Sequence, residues 1–544
     1  MANRRPGPIL WLLLIVVVLA LGGQAVPLYT DWLWFQEVGY VGVFVTILTL
    51  RGQLFLGVAF GTFLFLYGNL YFAAKTARPD VYWELEDQLG LPSRVVLEPF
   101  IQRLLRPVLA VIAFLSAVSA SANWETVLEY FNATPFEVTA PDVGWGLGRD
   151  LSFYVFVLPF WRLLYGWALF LIIGTIALSL ALYVLQRSLV LTARGPRIAA
   201  GARVHLLLLG TAFLLIKAWG FWLDRFEIMY SPRGVVFGAS YTDVNASLPV
   251  LGGLAVLTLL CAAACLLQVR LPGWRFLLAG LVVLGAAWVG GLGLYPAALQ
   301  RLRVTPNELA AEHPYIVHNI RMTRAAYGLE RIEEKDFPAE ENLTAAALDR
   351  NNLTIKNIRL WDHRPLLTTF AQLQEIRPYY KFVDVDNDRY LIGGEYRQIM
   401  LSPRELSYRH LPSRIWINEH LTYTHGHGVI VGPVNRISPE GQPEFFVKDI
   451  PPVSTGFLKV TRPEIYYGEI GNDYVFVRTK SQELDYASGD QNVYTRYAGR
   501  GGIPVGSFLT KLLFAVRFGE IKIVLSDDVT GESRIMIHRE VAKR

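Results

Sequence analysis

The chain has 544 residues, is 53% hydrophobic and 18% charged, and carries a formal net charge of +5. Soluble domains average about 25% charged residues, so this composition excludes an ordinary soluble protein. Residues 1–297 hold 19 Lys/Arg and 15 Asp/Glu, whereas residues 298–544 hold 32 and 31. The polar part is thus nearly neutral, which excludes nucleic acid as a partner. The basic excess lies in the apolar part, where it bears on membrane topology.

A helix rises 1.5 Å per residue, so crossing a hydrocarbon core of about 30 Å takes roughly 20 apolar residues. Seven runs meet that length: Ile9–Tyr29, Leu54–Phe72, Pro107–Ala122, Leu158–Leu185, Val204–Trp222, Leu248–Leu267 and Phe276–Leu294. The first has two readings. Arg4 and Arg5 before an apolar run that ends near Gly23-Gln24-Ala25 also describe a cleaved signal peptide. Both readings leave the same topology. Aromatic residues gather after this run, in Trp32, Trp34, Phe35 and Tyr40, and are expected to lie at the membrane interface.

Lys and Arg between the runs set the orientation. With a cytoplasmic N-terminus, inner segments hold Arg4, Arg5, Lys75, Arg78, Arg94, Arg103, Arg106, Arg187, Arg194, Arg197, Arg203, Arg270 and Arg275. Outer loops hold only Arg51, Arg149, Arg225 and Arg233. The thirteen-to-four bias favours this orientation, and an odd number of spans then puts the C-terminal part outside the cytoplasm.

Within the runs, Cys261 and Cys265 fall one helical turn apart. They read either as small residues packed against a neighbouring helix or as thiols for redox or metal chemistry. Lys217, with Asp224 seven residues later, and Arg162 are ionisable groups near outer span ends. Snorkelling to the headgroups accounts for Lys217 and Arg162, and a solute or proton path is the functional alternative. Arg233-Gly234 with Gly238 reads as a structural turn or an anion-holding one.

The division expected is a helical membrane block, residues 1–298, followed by an α+β extracytoplasmic domain, residues 299–544. Thr305-Pro306-Asn307-Glu308 predicts a capping box opening a helix toward Tyr327, with Gly328 as its stop. Further helices are predicted at Pro365–Gln374 and Val505–Phe518. One strand pair is predicted at Tyr379–Asp384 with Arg389–Leu401. Another is predicted at Glu464–Glu469 with Tyr474–Thr479.

Two constellations in this domain could hold a metal. Asp384-Val385-Asp386-Asn387-Asp388 with Glu395 approximates the alternating oxygen ligands and distal Glu of a calcium loop, although Arg389 stands where such a loop needs Gly. Asp384, Asp386, Asp388 and Glu395 are therefore the expected metal ligands, with a calcium ion as the cofactor. The second constellation is His420, His425 and His427. An H-x-H pair on a strand puts both imidazoles on one face, as zinc sites do, but spacing supplies no third ligand. A Gly-rich loop with hydrogen-bonded histidines is the other reading. No nucleotide-binding or nucleophile-elbow motif occurs, so no catalytic residue is assigned.

The segments DWLWFQEVGY (31–40), YSPRGVVFGASYTDV (230–244), HPYIVHNIRMTRAAYGL (313–329), DVDNDRY (384–390), YTHGHG (423–428) and DIPP (449–452) together resemble uncharacterised protein family 0182. That family comprises large bacterial multi-pass membrane proteins. The resemblance runs along nearly the whole chain and implies N-terminal spans followed by a large extracytoplasmic region, with no activity or site residues to carry over. Its members typically have an aromatic residue where His427 stands, so the resemblance implies no metal-binding H-x-H pair. They are also longer, and the end at Arg544 reads as that of a truncated product. Three functions follow as expectations: an outer domain that binds or organises a cell-envelope protein or polymer, a transporter or channel component, and a membrane-anchored enzyme acting on an envelope substrate.

Overall fold

The computed structural model describes all residues except 1–22, 24, 77–93, 145, 187, 193–194, 272–274, 338, 340–342, 456–457 and 490. The chain forms two compact units, one of residues 46–336 and one combining residues 1–45 with 337–544. The sequence division at residue 298 differs from this one at both ends. The last apolar helix continues as one helical path to Ala326, and the segment around residues 30–37 packs with the polar residues.

The first unit is helical. Six helices are long and apolar enough to cross a membrane: Val41–Thr76, Leu105–Ala122, Phe153–Leu185, Ala200–Tyr230, Asp243–Leu267 and Leu277–Ala326. They contain the second to sixth expected runs and all of the seventh but Phe276. The run Ile9–Tyr29 lies mostly outside the described residues. Four of the helical paths' turns are π-helical: Phe153–Val157, Asp243–Ser247, Val289–Leu294 and Gln300–Val304. A proline follows each by two positions, at Pro159, Pro249, Pro296 and Pro306. Proline lacks the N–H of the i→i−4 bond, and its ring collides with the carbonyl four residues earlier. Widening the preceding turn accommodates both effects without ending the helix.

Small residues let these helices approach. A Cβ on Gly220 would overlap the Tyr165 ring. Cys265 Sγ lies 3.4 Å from where a Gly210 Cβ would stand, and Cys261 Sγ lies at the same distance from a Gly280 Cβ. Both thiols are buried, in the packing role. Buried clusters join Leu66, Leu70, Leu109, Leu171 and Tyr183, and separately Phe153, Tyr154, Phe221, Phe226, Leu248 and Leu251. The outward faces are apolar as well, with Leu56, Phe60, Val282 and Leu294 each about 70% exposed. Such a surface suits hydrocarbon rather than water.

The second unit is strand-rich. A five-stranded antiparallel sheet runs in the order Val453–Ser454, Val447–Lys448, Val429–Pro433, Glu395–Pro403, Asp386–Ile392. Strand alternation divides its core. Met400 and Ile430 pack with Leu366 and Phe370 of helix His363–Gln374 on one face, while Ile399, Val431 and Val447 pack on the other. A three-stranded sheet orders Val475–Val477, Arg534–Met536, Ile503–Pro504. Phe476, Ile503 and Ile535 meet Phe514 of helix Phe508–Phe518, and Val475, Val477 and Met536 meet Tyr379 and Tyr380.

Residues 25–37 are helical and join this unit. Leu33 and Trp34 pack against the Phe476–Phe514 cluster rather than presenting Trp34 to an interface. Asp31 Oδ1 accepts a 2.6 Å hydrogen bond from Arg517 Nη1, and Glu37 accepts from the Gly502 N–H at 2.9 Å and from Arg544.

Several local expectations change. Helix Glu308–Ala326 and its left-handed Gly328 form, but Thr305 donates its hydroxyl back to the Gln300 carbonyl, so no capping box closes. Arg389–Leu401 is not one strand. Gly393 and Gly394, both at positive φ, turn it into a hairpin, and Tyr380–Lys381 pairs with Glu405–Leu406 instead. Glu464–Ile465 pairs with Gly426–His427, and Val475–Val477 pairs with Arg534–Met536, because their apolar faces are buried by distant strands rather than by each other.

Candidate functional site

Strand Gly426–His427 is fixed from both sides. The Arg404 carbonyl accepts from the His427 N–H at 3.0 Å, the Arg404 N–H donates to the Gly428 carbonyl at 2.9 Å, and the Gly428 N–H donates to the Pro463 carbonyl at 2.8 Å. A Cβ on Gly426 would overlap the Arg404 carbonyl and stand 2.8 Å from Glu405 Cα, so only glycine allows this approach. His425 and His427 are fully buried on either side of it.

Hairpin Glu483–Ser488/Gln491–Thr495 supplies the acidic groups. Its register shifts between Leu484 and Tyr486, leaving Asp485 as the extra residue of a bulge. Bulges re-aim side chains, and Asp485 Oδ1 here lies 2.9 Å from His427 Nδ1 and 3.5 Å from His425 Nε2. His427 Nδ1 is in ion-pair reach of that carboxylate, and neither His427 nitrogen has a hydrogen-bond partner. Burial opposes the Asp485 charge, but the adjacent His425 and His427 outweigh it and hold its carboxyl below the usual range.

Thr424 and Glu483 orient His425. Glu483 accepts from Thr424 Oγ1 at 2.7 Å, from the Tyr466 hydroxyl at 2.8 Å and from the Tyr497 N–H at 3.0 Å. Thr424 gives its one hydroxyl proton to this carboxylate, so at 2.8 Å it accepts from His425 Nδ1. Nδ1 therefore carries a proton, and Nε2 is the nitrogen turned toward Asp485, where it can hold either a proton or a metal ion. Arg404 and Arg539 hold the backbone, donating to the His427 and Thr424 carbonyls at 2.8 Å and 2.6 Å.

His425, His427 and Asp485 are the one group of three or more His, Cys, Asp or Glu among the described residues whose ligand atoms converge, all within 4.8 Å of one another. His420 is elsewhere. Its ring stacks on Tyr474 at 4.1 Å and its Nδ1 meets the Tyr474 carbonyl at 2.7 Å. Asp485 was missed from the sequence. The alternating Glu483 and Asp485 on one strand carried the only signal for it.

The four expected calcium ligands are not brought to one point. Asp386 and Asp388 lie on strand Asp386–Ile392, whereas Glu395 pairs with Ile392 at the hairpin's turn. Six residues separate the Asp386 and Glu395 rungs, about 20 Å along the ladder. Glu395 accepts from Lys356 and Arg397, each at 2.7 Å. Asp384 precedes the strand, and its Oδ1 accepts from the Val385 N–H.

In the helical unit, Arg162 pairs with Asp224 at 2.6 Å and with Glu227, which accounts for it better than snorkelling alone. Lys217 donates to the Tyr165 hydroxyl at 3.2 Å. Arg233 holds no anion-binding turn. Its guanidinium meets Asp243 and Ser247, each at 3.1 Å, because the following helix supplies a carboxylate.

The family model described as "Uncharacterised protein family (UPF0182)" matches residues 8–544. A UPF0182 protein of Trichlorobacter lovleyi is 44% identical over 100% of this chain and 60% of its own length. One from Pelobacter propionicus is 44% identical over 98% of this chain and 59% of its own, and one from Desulforamulus reducens is 39% identical over 97% and 58%. This chain thus spans about 60% of the length of these relatives. No solved structure matches it. With a family model spanning nearly all of it and relatives alike along its full length, the chain belongs to the uncharacterised family UPF0182.

Proposed function

We propose that the chain is a multi-pass protein of the cell membrane, with seven spans and a cytoplasmic N-terminus, whose strand-rich unit faces outward and binds or organises a cell-envelope protein or polymer. The observation that carries this reading is the pairing of six long apolar helices, apolar on their outward faces, with a thirteen-to-four excess of Lys and Arg on one side. The run Ile9–Tyr29 supplies the seventh span. A transporter role has less support, because Arg162 and Lys217 are already satisfied by Asp224, Glu227 and Tyr165.

Sidedness is tested in spheroplasts with Cys261 and Cys265 changed to Ala and single cysteines placed at exposed Glu440 or at Lys75. A membrane-impermeant maleimide should label Glu440→Cys and spare Lys75→Cys until the membrane is opened. The reverse pattern would overturn the orientation. Photocrosslinking from the outer face of intact cells should then yield a discrete envelope adduct, and its absence would count against the partner role.

A further inference from the structure

We infer that His425, His427 and Asp485 bind one divalent transition-metal ion, with zinc as its simplest occupant. The site does not depend on which side of the membrane the strand-rich unit faces.

The electron pairs carry the inference. His425 Nδ1 donates to Thr424, which occupies that nitrogen and leaves Nε2 as the one that can coordinate. Nε2 faces the Asp485 carboxylate at 3.5 Å, so a cation belongs between them, and a metal ion can take the place of a ring proton there. His427, with 1% of its side chain exposed, adds a third donor without a hydrogen-bond partner, 2.9 Å from the same oxygen. An imidazole buried without a hydrogen-bond partner is costly, and coordination satisfies it.

The spacing suits the ion. Zn–N and Zn–O bonds of about 2.0–2.1 Å give tetrahedral ligand edges of about 3.3 Å. The separations of 2.9 and 3.5 Å from Asp485 to the histidines bracket that edge. Two imidazoles and one carboxylate are a donor set for Zn²⁺ or a related first-row ion, whereas Ca²⁺ takes six or more oxygens. The Glu483–Thr424–His425 relay is the kind of outer shell that orients a metal-bound imidazole. Glu483 and Asp485 provide two negative charges against the ion and the nearby Arg404 and Arg539. The side chain of Asp485 is 17% exposed, which gives the ion a route from solvent, and three protein ligands leave a fourth position open.

The test uses the untagged full chain in detergent, stripped with a chelator and titrated with Zn²⁺ by calorimetry. It should bind one ion per chain. Removing a ligand should weaken binding at least about tenfold, the lower end of what loss of even an outer-shell partner costs. His427→Phe keeps an aromatic ring beside Tyr486, and Asp485→Asn keeps the side-chain shape, so at least one should fold as the parent does, judged by its metal-free melting midpoint. Co²⁺ added to the stripped parent should give tetrahedral d–d absorption. Absence of stoichiometric Zn²⁺ binding, or unchanged affinity in a folded variant, would overturn the inference and leave a plain His–Asp ion pair.

Discussion

Arg404 offers the sharpest test of how the strand-rich unit is held together. Its side chain is 0% exposed, and burial pushes its guanidinium down to about 10, so it remains charged at neutral pH. It donates from Nε to the Gln374 carbonyl at 2.8 Å, from Nη1 to the His427 carbonyl at 2.8 Å and from Nη2 to Gln374 Oε1 at 3.3 Å. Arg404→Met keeps most of the apolar stem but strips two buried carbonyls of this donor. Each unsatisfied acceptor costs about 1–3 kcal/mol, and release of a desolvated cation offsets part of that. The net loss should be about 2 kcal/mol, which lowers the melting midpoint of a unit this size by about 4–8 °C. Arg404→Lys should fall between the parent and Met, because an ammonium restores charge without the guanidinium fork. The assay is temperature-dependent trypsin cleavage of the full chain in detergent, following the C-terminal fragment. A midpoint within 1 °C of the parent would refute the reasoning.

Two further outcomes follow. His420 is buried against Tyr474, and burial lowers its folded pKa, opposed by its hydrogen bond to the Tyr474 carbonyl and nearby Glu419 and Asp473. The unfolded chain then binds more protons, so stability should be full above about pH 6.5 and fall with acidification until the folded group protonates. His420→Phe should remove that component of the slope, and an unchanged slope between pH 5 and 7 in urea unfolding would contradict the assignment. Gly426→Ala would force a methyl into the Arg404 carbonyl, so it should destabilise by about 1–3 kcal/mol and weaken binding at His427. Normal melting with normal metal uptake would show that the two strands can part.

Element type was legible where one local rule decides it. The apolar runs gave six helices because length and composition suffice, and Gly328 and Gly519 ended their helices through the left-handed conformation glycine favours. The π turns before Pro159, Pro249, Pro296 and Pro306 were not foreseen, although the prolines that require them stand plainly in the runs. The Gly393-Gly394 hairpin was equally readable as a turn signal and was passed over for a longer strand.

Strand pairing and the site were decided elsewhere. Four carboxylates close in sequence are spread along a hairpin, because an extended chain carries neighbours apart at about 3.4 Å per residue. The H-x-H pair finds its acidic partner about sixty residues away, at the bulge of a separate hairpin. Asp31 and Glu37 likewise meet Arg517 and Arg544 across nearly the full chain. By itself, the sequence determined the solvent each half of the chain is written for and where its helices run, since composition and periodicity act locally. Only the tertiary structure decided which buried donors face one another, because burial of apolar faces chooses strand partners without regard to distance along the chain.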